Sequence, residues 1–139
     1  MVKYDEKSCG IVTFREEEGK RFYLILKYPS GHLDLPKGHV ENEETEHETA
    51  ARELEEETGI SQVEFIEGYR EPISYIYRRK GKMSNKQVVF FLGKTDQKKI
   101  KISFEHHDSY WFEYEEALQK ITFDNAKNLV MKAESFLNK

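Results

Sequence analysis

The apolar positions follow a strand-like pattern near the start of the chain and again after its middle. Cys9–Phe14 and Phe22–Tyr28 are rich in β-branched and aromatic residues, and the polar run EEEGK between them predicts a hairpin. Two further strands are predicted at Val63–Tyr77, with a break near Pro72, and at Gln87–Gly93. The basic, turn-prone run RRKGKMSNK is expected to connect them.

A helical period replaces this pattern between Glu46 and Thr58. Thr45 and Glu48 have the spacing of a capping box, and Gly59 supplies a left-handed stop. At about 100° per residue, one sector of the helix collects the residues expected to face the sheet. These are Ala50, Ala51, Leu54 and Thr58. The pattern therefore predicts one amphipathic helix after the loop-like run SGHLDLPKGHV.

The last part of the chain combines short strands with a second helix. Ile100–Ile102 and Tyr110–Phe112 have strand-like composition, and a C-terminal helix is expected after Asp124, its candidate N-cap. Its apolar face would comprise Ala126, Leu129, Val130, Ala133 and Leu137. Strands interleaved with two helices predict an α/β sandwich with a mixed sheet. Since no Pro/Gly/Ser-rich linker interrupts the 139 residues, residues 1–139 are expected to form a single domain.

Charge and cysteine content restrict the binding partners and the cellular compartment that the sequence favours. The formal net charge of −4 at pH 7 leaves no overall basic footprint for duplex nucleic acid, although a bound metal can reverse the sign locally. Cys9 is the single cysteine of the sequence, so no intramolecular disulfide can form and a reducing compartment is expected. No stretch approaches the roughly 20 apolar residues of a membrane span. We therefore expect a cytoplasmic monomer that acts away from membranes.

The predicted helix carries an unusual concentration of glutamates. Glu53, Glu56 and Glu57 are separated by three and four positions, so they share a face beside the apolar sector, whereas Glu55 points towards solvent. Like charges at this spacing weaken an isolated helix by a few tenths of a kcal/mol per pair. A divalent cation removes that conflict, and Mg²⁺ suits a few carboxylates combined with substrate phosphates. A solvated acidic helix face is the alternative interpretation.

The segment 38–60 reads GHVENEETEHETAARELEEETGI and resembles the Nudix pattern G-x5-E-x7-R-E-U-x-E-E-x-G-U, where U is a bulky aliphatic residue. All nine fixed positions are filled, by Gly38, Glu44, Arg52, Glu53, Leu54, Glu56, Glu57, Gly59 and Ile60. The resemblance implies an α/β/α sandwich. It also implies metal-dependent hydrolysis, by water, of a nucleoside diphosphate linked to another group.

The same resemblance suggests roles for residues of segment 38–60, here called the Nudix box. Glu53, Glu56 and Glu57 would be metal ligands, with the Gly38 carbonyl as a further oxygen. The ion would be Mg²⁺, with Mn²⁺ as the alternative. Arg52 would orient a box carboxylate through charge-assisted hydrogen bonds. Catalytic roles therefore fall to Arg52, to Glu53 and to Glu105 in the later run SFEHHDSYW. Glu53 and Glu105 both remain candidates for the general base, and the alternative for Glu105 is an ordinary surface glutamate.

Residues outside the box point to a subfamily. The run PKGHVE resembles the asymmetrical diadenosine tetraphosphate hydrolases, which implies that Lys37 touches a phosphate and that His32 belongs to the substrate site. Tyr75 lies at the spacing at which this subfamily places a tyrosine, and Tyr77 follows on the same strand face. A tyrosine ring there can stack on adenine, because every base offers a π-face. Half-buried strand tyrosines and a solvated loop lysine are the alternatives.

The function predicted from these residues is hydrolysis of diadenosine tetraphosphate to ATP and AMP. Removal of pyrophosphate from the 5′ end of RNA and hydrolysis of other nucleoside polyphosphates are the alternatives with the same chemistry. A non-catalytic Nudix domain that senses nucleotides is the alternative from another class. The basic residues after the tyrosines either neutralise part of the phosphate chain or form a solubilising turn. They are Arg78, Arg79, Lys80, Lys82 and Lys86.

Overall fold

The computed structural model describes residues 4–101 and 108–139, which form one seven-stranded sheet and three helices. The strands are β1 (Glu6–Glu17), β2 (Lys20–Lys27), β3 (Leu33–Asp34), β4 (Lys37–His39), β5 (Glu64–Arg79), β6 (Lys82–Lys94) and β7 (Asp108–Glu113). The helices are α1 (Glu46–Thr58), α2 (Tyr114–Lys120) and α3 (Asp124–Leu137).

The sheet is mixed, as the sequence predicted. Its strand order is β3-β2-β1-β6-β5, with β4 paired to β1 and β7 paired to β2. β1 and β6 run parallel, and the other pairs are antiparallel. The predicted hairpin of β1 and β2 is confirmed, with Phe14 opposite Tyr23 and Glu17 opposite Lys20.

Both faces of the sheet are buried, because side chains of successive strand residues point to opposite sides. On β6, Val88 and Phe90 contact the core under α2 and α3, whereas Val89 and Phe91 contact the core under α1. Helices therefore cover the two faces of one sheet. This three-layer arrangement explains why the chain reads as nearly continuous apolar runs in its central strands.

Local sequence determines α1. The helix covers the predicted Glu46–Thr58, Thr45 and Glu48 form the reciprocal capping box, and Gly59 takes a left-handed conformation with φ 77°. Ala50 and Leu54, two of the residues expected to face the sheet, are each 1% exposed. The burial of this face places the glutamates of α1 along its border.

The predicted break at Pro72 is wrong, and so is the long loop after it. β5 is continuous through Pro72. Proline has no backbone N–H to donate, and an edge strand such as β5 tolerates this because only one of its sides pairs with another strand. The irregularity lies earlier, between Phe65 and Arg70, where Gly68 has φ 99°. Lys80 and Gly81 alone form the turn to β6, both with positive φ. Most of the basic run is therefore strand.

The structure differs from the sequence prediction in three further details. Asp124 is the first residue of α3 and the N-cap is Phe123, which makes no capping bond through its side chain, so the predicted capping role of Asp124 is wrong. The short helix α2 and the short strands β3 and β4 were not anticipated. Tyr110–Phe112 is confirmed as part of β7. Ile100 is not in a strand, and Ile102 lies outside the described residues.

Within the described ranges, no helix is long and apolar enough to cross a membrane.

Candidate active site

The functional side chains are positioned by β4 and by α1. β4 pairs with the start of β1, with Gly38 opposite Cys9. α1 packs on the same region through Ala50 and Leu54, and it also contacts β4. Gly38, the first residue of the glutamate-rich segment, therefore lies against α1, the helix in the later part of that segment.

Gly38 and Glu53 approach each other so closely that no side chain fits between them. A Cβ at Gly38 would lie 1.9 Å from Cδ and 2.1 Å from Oε1 of Glu53. Because non-bonded atoms do not approach to such distances, position 38 requires glycine while Glu53 keeps its place. The Gly38 backbone and the Glu53 carboxylate thus form one wall of the site.

Arg52 connects the carboxylates of the box. Its Nε and Nη2 donate to the two carboxylate oxygens of Glu44, at 2.7 and 3.1 Å. Its Nη1 donates to Oε2 of Glu53 at 2.9 Å and to Oε1 of Glu56 at 2.9 Å. Nη2 also donates to the carbonyl of His39 at 2.9 Å. Arg52 therefore occupies the position expected of a residue that orients box carboxylates, and Glu44 is its two-point partner.

An open cleft of about 630 Å³, here called the carboxylate cleft, runs along these residues. Its lining includes Gly38, Glu53, Glu56, Glu57, Lys37 and Lys86. Glu57 is 5% exposed, whereas the side chain of Glu56 is 53% exposed at the rim. Glu55 is exposed and does not line the cleft, which confirms that it faces solvent. All four predicted metal-binding residues are thus brought to one cleft.

Burial and the Arg52 guanidinium act in opposite directions on the acidic groups. The two-point pair with Arg52 lowers the pKa of Glu44 to about 2. Burial raises the pKa of Glu53, an effect that Arg52 opposes and Glu56 reinforces. Glu44 is therefore firmly ionised outside the cleft, and burial makes the negative charge of Glu53 in the cleft unfavourable unless a cation balances it.

The oxygen donors of the cleft fit a hard divalent cation, which prefers carboxylates and backbone carbonyls as ligands. Within residues 4–101 and 108–139, no three His, Cys, Asp or Glu side chains are already gathered for an ion. The guanidinium of Arg52 lies between Glu53 and Glu56 instead. Both carboxylates already line the cleft, and Arg52 contacts only one of the two oxygens of Glu53, so its other oxygen is left for an ion.

A second cavity of about 390 Å³, here called the apolar pocket, adjoins the carboxylate cleft at Lys37, which lines both. Its deeper walls are apolar, with Ile73, Val88, Phe90 and Leu129. Its mouth carries His32, Tyr75, Phe123 and Asn125. Three of the four predicted substrate-binding residues, His32, Lys37 and Tyr75, are brought together here.

Lys37 is held in place at the junction of the two cavities. Its Nζ lies 2.9 Å from Oδ2 of Asp34, a residue that is 7% exposed. The other Asp34 oxygen, Oδ1, accepts from the backbone N–H of Leu35 at 2.7 Å. The Lys37 Nζ also lies 5.8 Å from the centroid of the Tyr28 ring. These contacts direct the ammonium group towards both cavities.

Aromatic side chains cluster at the mouth of the apolar pocket. The His32 ring stacks on Tyr28, with centroids 5.4 Å apart, and meets Phe123 edge-on at 5.0 Å. Tyr75 is 37% exposed and Phe123 is 43% exposed. Large aromatic side chains that remain this exposed beside a pocket offer a surface for another flat, apolar group.

Tyr77, the fourth predicted substrate-binding residue, stands apart from this group. Tyr77 follows Tyr75 on the same face of β5, but its hydroxyl donates to Glu6 and its side chain lines neither cavity. Glu105 lies outside the described residues, as do His106 and His107.

Sequence reasoning missed several residues of the site. Phe123 immediately precedes a helix and Asn125 lies in its first turn, positions that give no local signal of a pocket. Lys86 was pooled with the basic turn, although it lies on β6 and lines the carboxylate cleft. Glu44 stood in the recognised pattern without a role, and only the folded chain shows it as the partner of Arg52.

Known proteins resemble this chain in sequence and in fold. Residues 6–133 match the NUDIX domain family model. The chain is 35% identical to bis(5′-nucleosyl)-tetraphosphatase [asymmetrical] of Mus musculus, over 94% of this chain and 95% of that protein. The Caenorhabditis elegans protein of the same name is 34% identical, over 94% of this chain and 96% of that one.

A crystal structure of a C. elegans Ap4A hydrolase binary complex superposes with a TM-score of 0.84 at 33% identity, covering 96% of this chain and 98% of that chain. Members of the matched family generally require divalent metal ions. The family match over residues 6–133, joined to a fold and a glutamate-rich helix of the expected form, shows that the chain belongs to the Nudix hydrolase family.

Proposed function

We propose that this protein hydrolyses diadenosine tetraphosphate to ATP and AMP. The observation that carries the proposal is the position of Lys37, which lines both the carboxylate cleft and the apolar pocket. A nucleotide whose base enters the apolar pocket would pass its phosphates across Lys37 to the glutamates. The tetraphosphatase names of the relatives from mouse and C. elegans support the same substrate.

The base would be bound by stacking at the mouth of the apolar pocket. Tyr75 and Phe123 both line this pocket and are partly exposed, and His32 lies against Phe123. Stacking of a base on an aromatic ring contributes about 1–3 kcal/mol per base and tolerates any base. We therefore assign Tyr75, Phe123 and His32 to one adenine of the substrate.

The phosphate chain would be bound by Lys37 and Lys86, two cations in the lining of the carboxylate cleft. Burial lowers the pKa of Lys86, and the charge of Lys37 adds to this effect. Two ammonium groups that repel each other are stabilised by a polyanion placed between them. This pair explains how a protein with a net charge of −4 can bind several phosphates.

Glu53, Glu56, Glu57 and the Gly38 carbonyl would hold the metal ion, for which we propose Mg²⁺, with Mn²⁺ as the alternative. When bound, the ion neutralises phosphate charge and lowers the pKa of coordinated water. Arg52 orients the box carboxylates through its hydrogen bonds.

In the reaction, the oxygen of a water molecule forms a bond to phosphorus while an anhydride P–O bond breaks. Glu53 or Glu105 accepts the proton of that water, and both remain candidates for this role. The departing phosphate oxygen leaves as part of the nucleotide product. The raised pKa of Glu53, caused by its burial, brings this carboxylate nearer to the range of a useful base.

A substrate panel tests the proposal. Diadenosine tetraphosphate, ADP-ribose, an oxidised dGTP and 5′-triphosphate RNA are incubated with Mg²⁺, and the products are separated by chromatography. ATP and AMP in equal amounts from the first substrate are expected. Preferred release of pyrophosphate from RNA would overturn the substrate assignment. Nucleotide binding without any turnover by the wild type would favour a sensor instead.

We also propose that the protein acts as a monomer in the cytoplasm. Support comes from its lone cysteine, Cys9, which is fully buried in the core under α1 and whose pKa burial raises to about 11. Light scattering of the purified protein tests the first statement, and fractionation of cells tests the second. A stable dimer or a secreted protein would contradict them.

A further inference from the structure

The β5–β6 hairpin extends past the rest of the sheet. β1 begins at Glu6, which pairs in parallel register with Lys86, so residues 82–85 of β6 have β5 as their only neighbouring strand in the described chain. Asp5, just before β1, adds hydrogen bonds to Asn85 through its backbone and carboxylate. A two-stranded ribbon is marginally stable in water, so its position depends on such links.

Glu6 is the side chain on which these links converge. Its carboxylate accepts hydrogen bonds from Ser84 Oγ at 2.6 Å and from the hydroxyl of Tyr77. Nη1 of Arg79 lies 3.2 Å from it, and Nε2 of His39 lies 3.4 Å from it. The Glu6 side chain is 8% exposed. One carboxylate of β1 therefore joins β4, β5 and β6 at the end of the sheet.

The hydrogen bonds from Ser84 and Tyr77 keep this group ionised, since they lower the pKa of Glu6 to about 2. Glu6 consequently acts as a permanent acceptor at any pH at which the protein would be assayed.

Tyr77 connects Glu6 to the apolar pocket. Tyr75 and Tyr77 are two positions apart and share a face of β5, with ring centroids 5.9 Å apart. Tyr75 lines the pocket and Tyr77 does not, so the Tyr77 ring is a neighbour of the Tyr75 ring outside the pocket lining. A fixed Tyr77 therefore limits how far the Tyr75 ring can move towards it.

We propose that Glu6 is a positioning residue that, by holding Tyr77 and Ser84, fixes the end of the β5–β6 hairpin and keeps Tyr75 in place to stack on the base. This role rests on the proposed nucleotide function. It also assigns Tyr77 a part other than the direct substrate contact predicted from the sequence. Its hydroxyl is engaged by Glu6, and its ring supports the residue that would touch the base.

The test compares Glu6→Ala with Glu17→Ala, a matched control at the other end of the same strand. Glu17 pairs with Arg15 at 2.6 Å and lines neither the carboxylate cleft nor the apolar pocket. Removing Glu6 should raise KM for diadenosine tetraphosphate about five-fold and change kcat less than about two-fold, as for coupling between neighbours in one network. Glu6→Gln should recover part of the loss, because its amide oxygen still accepts hydrogen bonds.

A double variant separates positioning from a general loss of structure. In a Tyr75→Ala background, Glu6→Ala should raise KM no further, because the ring through which it acts is gone. An equal rise in KM with and without Tyr75 would overturn the proposal, and so would a KM no different from that of Glu17→Ala. If Glu6→Ala is already unfolded at the assay temperature, the milder variants Tyr77→Phe and Ser84→Ala, each of which removes one hydrogen bond to Glu6, are tested in the same way.

Binding of ATP, measured by calorimetry, keeps this inference distinct from the proposed reaction. Glu6→Ala should weaken ATP binding by about the same factor as it raises KM, and only while Tyr75 is present. Absence of turnover by the wild type would end the hydrolase assignment for this substrate. Unchanged ATP binding by Glu6→Ala would end the positioning role.

Discussion

Arg52 and Glu44 form a two-point ion pair, with Nε–Oε2 at 2.7 Å and Nη2–Oε1 at 3.1 Å. The two residues are eight positions apart, with Glu44 before the N-cap of α1 and Arg52 in the helix. Nη1 of the same guanidinium donates to Glu53. The pair thereby fixes the arginine that contacts the cleft carboxylates, and planar, bidentate contacts of this kind are stronger and more directional than single ones.

Glu44→Gln removes the charge of this pair while keeping its size. We expect kcat/KM to fall about 10- to 100-fold, because outer partners of metal-binding carboxylates typically have effects of this size. Steady-state kinetics at saturating Mg²⁺ measure the change. Glu55→Gln, on the exposed side of the same helix, should leave kcat/KM unaltered. Equal activity of the two variants would contradict a role for the pair.

Gly38→Ala places a methyl group where the Glu53 carboxylate lies. Since the added Cβ would be 1.9 Å from Cδ of Glu53, this side chain must move, and the overpacking should lower the free energy of unfolding by about 1–3 kcal/mol. Metal-dependent turnover should fall with it. The control is the double variant Gly38→Ala/Glu53→Ala, in which the clash is relieved and the lost stability should return. Denaturant unfolding measures the free energy of unfolding of both variants. A double variant that is no more stable than Gly38→Ala would contradict the clash with Glu53 as the cause.

Chelation of divalent metal should abolish turnover reversibly. Glu57→Gln should raise the Mg²⁺ concentration for half-maximal activity at least about 10-fold, because a buried carboxylate of the cleft, which we propose as a metal ligand, loses its charge. A titration of activity against Mg²⁺ gives this value. The Glu55→Gln variant should follow the wild-type curve, and a Glu57→Gln curve that coincides with it would show that Glu57 does not bind the metal.

Tyr75→Ala should raise KM more than it lowers kcat. Loss of one base stack weakens ground state and transition state alike, by about 1–3 kcal/mol. The control is Ile76→Ala, which removes a 64% exposed side chain from the opposite face of the same strand. Initial rates over a range of substrate concentrations separate the two constants. A large loss of kcat at constant KM would speak against stacking.

The stability of the fold should decrease in acid through Glu46. Hydrogen bonds from Arg70, with further attraction from Lys7, lower the pKa of Glu46 to about 2. A carboxyl group with a depressed pKa in the folded state stabilises the protein above its unfolded pKa of about 4.3. That contribution is lost as the pH falls from there through about 2. Urea unfolding between pH 7 and pH 2 should show a shallower decline for Glu46→Gln than for Glu55→Gln.

The sequence predicted the elements that short-range interactions determine. Thr45, Glu48 and Gly59 set both ends of α1, and a capping box needs only residues three positions apart. Errors arose where long-range contacts decide. Pro72 stays in a strand because β5 lies at the sheet edge, and the basic run after it becomes strand because β6 provides a partner.

Residues of the site also divide into those that local spacing predicted and those that only long-range contacts revealed. The glutamates of α1 were predicted because helical spacing places them on one face, and α1 formed where it was expected. Phe123 could not be assigned, because its pocket exists only where the start of α3 meets β5 and the loop around His32. Tyr77 fits the aromatic spacing, yet its hydroxyl donates a hydrogen bond to Glu6, a residue 71 positions earlier in the chain.

By itself the sequence determined the glutamate-rich helix and its caps, since these depend on residue types at short spacings. Its resemblance to the Nudix pattern implied the metal-dependent chemistry of the family. Tertiary structure alone decided that Gly38 lies against Glu53, that Lys37 joins two cavities and that Glu6 holds the end of the β5–β6 hairpin. Such contacts join strands and loops far apart in the chain, and burial fixes them only once the sheet has assembled.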